Sequence, residues 1–347
     1  MKEIIECMKS TLAIFMLRSI FDNDASRIVS KRGREILAQL DDIKEKKENM
    51  ANYKTLNLAY PGKSHINFKV NRFPDGQQSV TLEVDMAHLT AKQADCVKIY
   101  SRLNNFRDLE LIICATAALR NTGIQKIALY VPYFMGARSD RRFTEGDANY
   151  LKQVICPIVN AQKFDAVIVL DPHSDVLEAC LDNFEKIDNH AVVKYALTDI
   201  DNRNDAQDRI VLVSPDAGAY KKIFDVAQKF GIHKIITATK VRDIKTGKIL
   251  HTEIPTLDQH EDLKYVIIDD ICDGGRTFIE LAKAIHDSRP TAKVYLVVTH
   301  GIFSAGYTEL GKHIEKMYTT NSYQEIGENA YHALANMPTK VKQFNVF

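Results

Sequence analysis

The 347-residue chain carries almost no net charge, with 46 Lys and Arg against 45 Asp and Glu and a formal balance of +1. Broad binding to nucleic acid or to an anionic membrane needs a basic field. Neither partner is therefore expected, and any binding of phosphate has to be local. A C-x-x-C pair is also missing. The six cysteines (Cys7, Cys96, Cys114, Cys156, Cys180 and Cys272) are scattered, several of them in apolar runs such as "LELIICATAAL" and "LKQVICPIV". That pattern fits buried, reduced thiols in a cytosolic protein and argues against a disulfide framework or a zinc site. No apolar run approaches the length of a membrane span. The opening "MKEIIECMKSTLAIFMLRSIF" places Glu3 and Glu6 where a secretion signal would be positive. The expected location is the cytoplasm. No fixed-period repeat is present.

The chain is 45% hydrophobic and 26% charged, a profile able to bury one or two cores, and at this length two domains are expected. Residues 1–50 stand apart: "IVSKRGREILAQLDDIKEKKENM" is helical in period and rich in charge. It reads as a helical extension whose stripe (Ile28, Ile36, Leu37, Leu40, Ile43) packs on the body or on a partner subunit, or as a partly disordered arm. Met50 is a second candidate start for the folded body. From about residue 53, short apolar runs alternate with helical periods, among them "CVKIYSR", "KIALYVPYF", "AVIVLDPH", "RIVLVSPDAG", "YVIIDDICDGG" and "KVYLVVTHG". Near-continuous β-branched runs followed by polar or glycine-rich residues and then a helix are the mark of buried strands in an α/β sheet. Two α/β domains with mainly parallel sheets follow, over residues 51–187 and 188–347, the last helix free to return to the first domain. "LTDIDNRNDAQDR" is the most linker-like stretch. Ligands in such sheets sit at the carboxyl ends of the strands.

The sharpest of these ends is "YVIIDDICDGGRTF". A strand closes on Asp269 and Asp270, then Asp273, Gly274, Gly275, Arg276 and Thr277 lead into "FIELAKAIHD". Glycines let backbone N–H groups converge on an anion, and the helix N-terminus adds its dipole, so the loop suits a phosphate. Adjacent carboxylates suit a sugar diol whose hydroxyls donate to them, with or without a divalent metal. Together they describe a site for a ribose phosphate. The plainer alternative is a tight turn followed by a helix cap.

This segment resembles the phosphoribosyl-pyrophosphate binding motif shared by phosphoribosyltransferases and phosphoribosyl-pyrophosphate synthetases. "RFPDGQQSVTL", "VPYFMGARSDRRF", "VIVLDPHSD", "VLVSPDAGAYKK", "TATKVRD" and "VVTHGIFSAG" follow in the order found in the synthetases. From about residue 57 to its end, the chain is identified as a divergent member of that family. The resemblance implies two phosphoribosyltransferase-like α/β domains, Mg2+ as cofactor, and a homo-oligomer, dimer or higher. It implies the reaction of ATP with ribose 5-phosphate to give AMP and phosphoribosyl pyrophosphate. The alternatives are the same chemistry on a larger acceptor such as ADP-ribose, as in NAD salvage, a phosphoribosyltransferase, and a non-catalytic regulatory homologue.

Residue by residue, the resemblance assigns Arg138, Ser139 and Arg141 to ATP. Arg138, Arg141 and Arg142 are also guanidinium forks able to grip polyphosphate, or partners for Asp140 and Glu145 on a surface. Asp171 and His173 fall on the family's metal and ATP positions, and Asp216, beside Gly218, on its sugar and metal position. Lys240 and Arg242 resemble the cations of a mobile catalytic loop, although an exposed basic hairpin reads the same way. "RFPDGQQ" resembles the segment that reads adenine in a neighbouring subunit, with Phe73 stacking on the base and Asp75 and Gln77 at its polar edge. A D-G pair between apolar runs is equally a hairpin signal. Two departures stand out. Gly274 replaces a threonine and Arg276 a glycine of the family loop, which removes a hydroxyl donor and adds a guanidinium, and Gln77 stands where glutamate is usual.

Overall fold

The computed structural model describes residues 53–83, 96–142, 144–203, 205–242, 249–255, 257, 262–327 and 340–347, with backbone alone at 240–242 and 249–251. The expected helical extension over residues 1–50 and the last helix lie outside the described residues. The chain divides into two compact units, one ending at Asp188 and joined by Asn345–Phe347, the other Asn189–Phe344.

The first unit runs β1 (Tyr53–Asn57), β2 (Phe68–Arg72), β3 (Gln78–Leu82), β4 (Cys96–Tyr100), α1 (Phe106–Asn121), β5 (Ile127–Tyr130), α2 (Cys156–Ala161), β6 (Ala166–Leu170), α3 (Val176–Cys180) and β7 (Phe184–Ile187). Its sheet is parallel in the order β1-β4-β5-β6-β7. The runs "IALY" and "AVIVL" are buried at every position, as expected of strands covered on both faces. Helix α1 starts where the Asn105 side chain accepts from the N–H groups of Arg107 and Asp108 at 2.9 and 3.2 Å, a cap that contributes about 1 kcal/mol. Its stripe of Leu109, Ile112, Ala115 and Leu119 enters a core with Val97, Ile99, Leu129 and Val167. Each large apolar side chain buried there contributes roughly 1.5–3 kcal/mol. Strands β2 and β3 form a separate antiparallel hairpin, hung on α1 through Gln78, whose amide donates to the carbonyl of Arg107 at 2.8 Å and to Glu110 at 3.1 Å.

The second unit runs α4 (His190–Ile200), α5 (Ala206–Arg209), β8 (Ile210–Ser214), α6 (Tyr220–Phe230), β9 (Lys234–Thr237), β10 (Thr239–Arg242), β11 (Ile249–Glu253), β12 (Lys264–Cys272), α7 (Arg276–Ser288), β13 (Lys293–Gly301), α8 (Thr308–Gly311), β14 (Lys316–Thr320) and β15 (Lys340–Phe344). Its main sheet is parallel in the order β15-β14-β13-β12-β8-β9. The chain winds from β8 to β9 in one direction and from β12 to β15 in the other. The switch point therefore falls between β8 and β12, where open α/β sheets hold their ligands.

Two features depart from the local reading. Strands β1, β7, β14 and β15 ("YKTLN", "FEKI", "KMYTT", "KVKQF") carry no long apolar run; pairing with a neighbour, not propensity, makes them strands. The linker-like polar stretch is ordered, because the Asp201 carboxylate accepts from Arg203 (2.8 Å), Arg209 (3.0 Å) and Lys264 (2.6 Å).

Candidate active site

Strand β12 delivers its acids to the switch point. The carboxyl of Asp269 is pushed well above the usual carboxylate range, first by burial, then by the charge of Asp270, with Asp216 adding to the rise. The three carboxyl groups thus share one field. Asp216, after β8, uses one carboxylate oxygen to accept from the N–H groups of Gly218 and Ala219 at 3.0 and 3.1 Å. The turn before α6 is built on this side chain, so Asp216 has a structural task besides any ligand.

Beyond the acids, Gly275 adopts φ +78 and caps α7, with Leu310 so close that a Cβ would meet it at 2.9 Å. Only glycine fits this left-handed corner without strain. Gly274 is different: its backbone is not left-handed, and a Cβ would find only the Ser304 hydroxyl at 3.9 Å. A Cβ at this position therefore meets no steric obstacle. Arg276 opens the helix, 80% exposed, and donates Nε to Glu280 at 2.7 Å. An exposed i,i+4 pair of this kind is worth about 0.3–0.5 kcal/mol, so a bound phosphate can draw the guanidinium away at little cost. Thr277 is half-buried in the first turn of α7.

In the first unit, β5 and β6 end side by side, held by Val131 N–H to the Ile168 carbonyl (3.0 Å) and Leu170 N–H to the Pro132 carbonyl (3.2 Å). From β5 the chain turns at Gly136, whose φ of +78 leaves the space a Cβ would need to the Tyr150 ring at 2.7 Å. Arg138 leaves this turn exposed, while Ser139 is fixed by its N–H to the Gly136 carbonyl (2.8 Å). Arg141 stays exposed, 3.9 Å from Asp140. Asp171, directly after β6, is buried and has φ +41, donating its N–H to the Ile187 carbonyl at 2.7 Å. A non-glycine residue held left-handed at a strand end is strained and characteristic of functional sites. His173 is exposed two residues on.

The "RFPDGQQ" segment forms the β2–β3 turn. The Phe73 N–H donates to the Gln77 carbonyl, the Gly76 N–H to the Phe73 carbonyl (both 2.9 Å), and the Gln77 N–H to Asp75 Oδ1 at 3.1 Å. Phe73 itself is 49% exposed, so the turn presents its ring instead of burying it. Lys240 and Arg242 lie on β10 of the antiparallel β10–β11 hairpin; their side chains lie outside the described residues.

Known proteins fit this arrangement. A phosphoribosyl transferase domain model matches residues 183–331. Curated ribose-phosphate pyrophosphokinases from Marinomonas sp. and Cereibacter sphaeroides are 27% and 29% identical over 257 and 250 residues, covering 72% and 71% of this chain and 74% and 70% of theirs. Over about seven-tenths of its length the chain is thus similar to ribose-phosphate pyrophosphokinases. A phosphoribosylpyrophosphate synthetase from Mycobacterium smegmatis shares the fold, with a TM-score of 0.68 over 84% of this chain and 94% of that one, at 15% identity.

Within this synthetase fold, two features were invisible to motif reading. His300, at the end of β13, is buried with Nδ1 2.8 Å from the Ser322 hydroxyl, and Ser304 donates its hydroxyl to Asp273 Oδ1 at 2.6 Å. Both lie in or beside "VVTHGIFSAG", a segment whose family match names no partner across the sheet. The described residues hold no group of three or more His, Cys, Asp or Glu placed to bind a metal, and no helix long and apolar enough to cross a membrane.

Proposed function

We propose that the protein transfers a diphosphate from ATP to the C1 hydroxyl of ribose 5-phosphate, releasing AMP and phosphoribosyl pyrophosphate. One observation carries the reading: Asp216, Asp269 and Asp270 converge at the switch point beside a glycine loop that opens α7. Carboxylates there accept from the sugar hydroxyls. Loop and helix N–H groups, with Arg276, take the 5-phosphate. A bond forms from the C1 oxygen to the β-phosphorus, and the bond from that phosphorus to the oxygen bridging the α-phosphate breaks. AMP leaves with the electron pair as the C1 hydroxyl loses its proton.

In the first unit, Arg138, Ser139 and Arg141 grip the ATP phosphates, and Phe73 stacks on adenine with Asp75 and Gln77 at its edge. The donor set at Asp171 and His173 fits magnesium, which takes one or two hard carboxylate oxygens plus substrate phosphates and keeps several waters. Asp171 in the first unit can supply such an oxygen, as can Asp216 separately in the second, while His173 suits a hydrogen bond to a phosphate or a coordinated water. Held by these residues, magnesium would supply positive charge against the phosphates during transfer. Lys240 and Arg242 neutralise charge between the β-phosphorus and departing AMP. The protein works in the cytoplasm as a homo-oligomer, with Phe73 and Arg138 of one ATP site drawn from different subunits.

The test is incubation with ATP, magnesium and either ribose 5-phosphate or ADP-ribose, with products identified by mass spectrometry. AMP and phosphoribosyl pyrophosphate are expected. Absence of both, or a higher kcat/KM for ADP-ribose, would overturn the assignment.

A further inference from the structure

The loop after β13 is stapled to the loop after β12. The Cys272 carbonyl accepts from the N–H groups of Ile302 (2.8 Å) and Phe303 (3.1 Å), and the Asp273 carbonyl accepts from Ser304 N–H at 3.1 Å. A fourth bond uses a side chain on each side, Ser304 Oγ–H to Asp273 Oδ1 at 2.6 Å. This is the short length of a hydroxyl donating to an ionised carboxylate.

The chain accepts strain to make this contact. Phe303 is a non-glycine residue at φ +47, its buried ring 4.7 Å from that of Tyr307. Gly301 must remain glycine, because a Cβ would strike the Phe303 ring and the Thr319 hydroxyl. The backbone bonds alone would close the turn. The hydroxyl bond is additional to these, and it lies at the exposed mouth of the loop, where Ser304, Gly274 and Arg276 all reach the surface. Ser304 Oγ is 3.9 Å from the point a Gly274 Cβ would occupy, so the hydroxyl flanks the loop where Gly274 contributes no side chain.

We infer that Ser304 is a positioning residue for the sugar-phosphate site: by donating to one oxygen of Asp273 it fixes the rotation of that carboxylate, so that Asp273 meets the bound ribose in one orientation. The inference rests on the function proposed above. Asp273 touches the substrate, and Ser304 acts through it. A carboxylate pinned at one oxygen loses little further freedom when the sugar binds.

The experiment compares Ser304→Ala with Ser304→Thr in the full-length protein, reading KM for each substrate, kcat, and melting temperature. Ser304→Ala keeps the backbone N–H bond and should raise KM for ribose 5-phosphate about tenfold, the scale of a lost charge-assisted hydrogen bond, with KM for ATP and melting temperature near wild type. Ser304→Thr retains the hydroxyl and should restore the wild-type KM. Ser304→Cys keeps the volume but donates weakly, and stands in should the alanine variant fold poorly. An unchanged KM for ribose 5-phosphate in Ser304→Ala, or an equal loss in Ser304→Thr, overturns the assignment while wild-type turnover leaves the proposed function standing. A wild-type protein that does not use ribose 5-phosphate overturns the function and this role with it.

Discussion

The backbone N–H of Asp270 donates to Oδ1 of Asp269 at 2.9 Å, yet the Asp269 carboxyl remains driven well above the ordinary range, because burial and the Asp270 charge outweigh that bond. A folded pKa above the unfolded value of about 3.9 means that the native state holds more protons between the two. The contribution of Asp269 to stability is then fully present below about pH 4 and is lost as pH rises through the folded value. Asp269→Asn removes the titrating group. In chelator-containing buffer it should melt above wild type at pH 7, with the gap closing toward pH 4, and it should bind ribose 5-phosphate more weakly. A lower melting temperature at pH 7 would show that the pair is not a stored penalty.

Asp201 has the opposite sign. Hydrogen bonds from Arg203 first, and from Arg209 and Lys264, hold its carboxyl far below the usual range, and its side chain is only 2% exposed. Its contribution is present above the unfolded value and disappears as pH falls below about 4. Because Arg203 and Asp262 are half exposed, solvent screens part of the network. Asp201→Asn should cost about 2–3 kcal/mol at pH 7 by denaturant melts. The difference from wild type should shrink between about pH 5 and 2; a gap independent of pH would exclude the ion pairs as its source.

The two loop glycines should behave differently. Gly275→Ala meets both a left-handed φ and the Leu310 side chain and should destabilise by about 2 kcal/mol or more while weakening ribose 5-phosphate binding. Gly274→Thr meets no such obstacle at its Cβ and should retain wild-type stability, with use of ribose 5-phosphate preserved or improved. Calorimetry and KM measurements on both variants decide the matter; equal destabilisation would contradict the loop geometry.

Lys240→Ala and Arg242→Ala are expected to lower kcat by orders of magnitude with little change in ATP affinity, since their contacts strengthen mainly in the transition state. Turnover near wild type in either variant would remove the β10–β11 hairpin from the mechanism.

Phe73, presented on the β2–β3 turn, offers a test of a shared ATP site. Phe73→Ala and Arg138→Ala proteins should each be nearly inactive, and mixing them with subunit exchange should restore part of the activity. Failure of complementation, or a fully active monomer in sedimentation, would place both residues in one subunit's site.

The strand–loop–helix at residues 264–288 was legible because each cue is local: an apolar run, paired acids, glycines at the corner and a helical period. The D-G turn at Asp75 and Gly76 was legible for the same reason, as its φ of +95 at Gly76 is a demand on one residue. Strands such as "KMYTT" were not, because a short segment with lysine at its end becomes a strand only when β13 and β15 flank it.

By itself the sequence determined which residues end buried strands and where glycine-bearing loops lead into helices, because backbone preference and hydrophobic pattern act over a few residues. Only the tertiary structure decided that β8 lies against β12, so that Asp216 and Asp269 feel one another's charge, and that Ser304 reaches Asp273 from a loop 31 residues away. Strand adjacency follows from burying both faces of a sheet by a particular winding. The pattern within one strand carries no record of its neighbour.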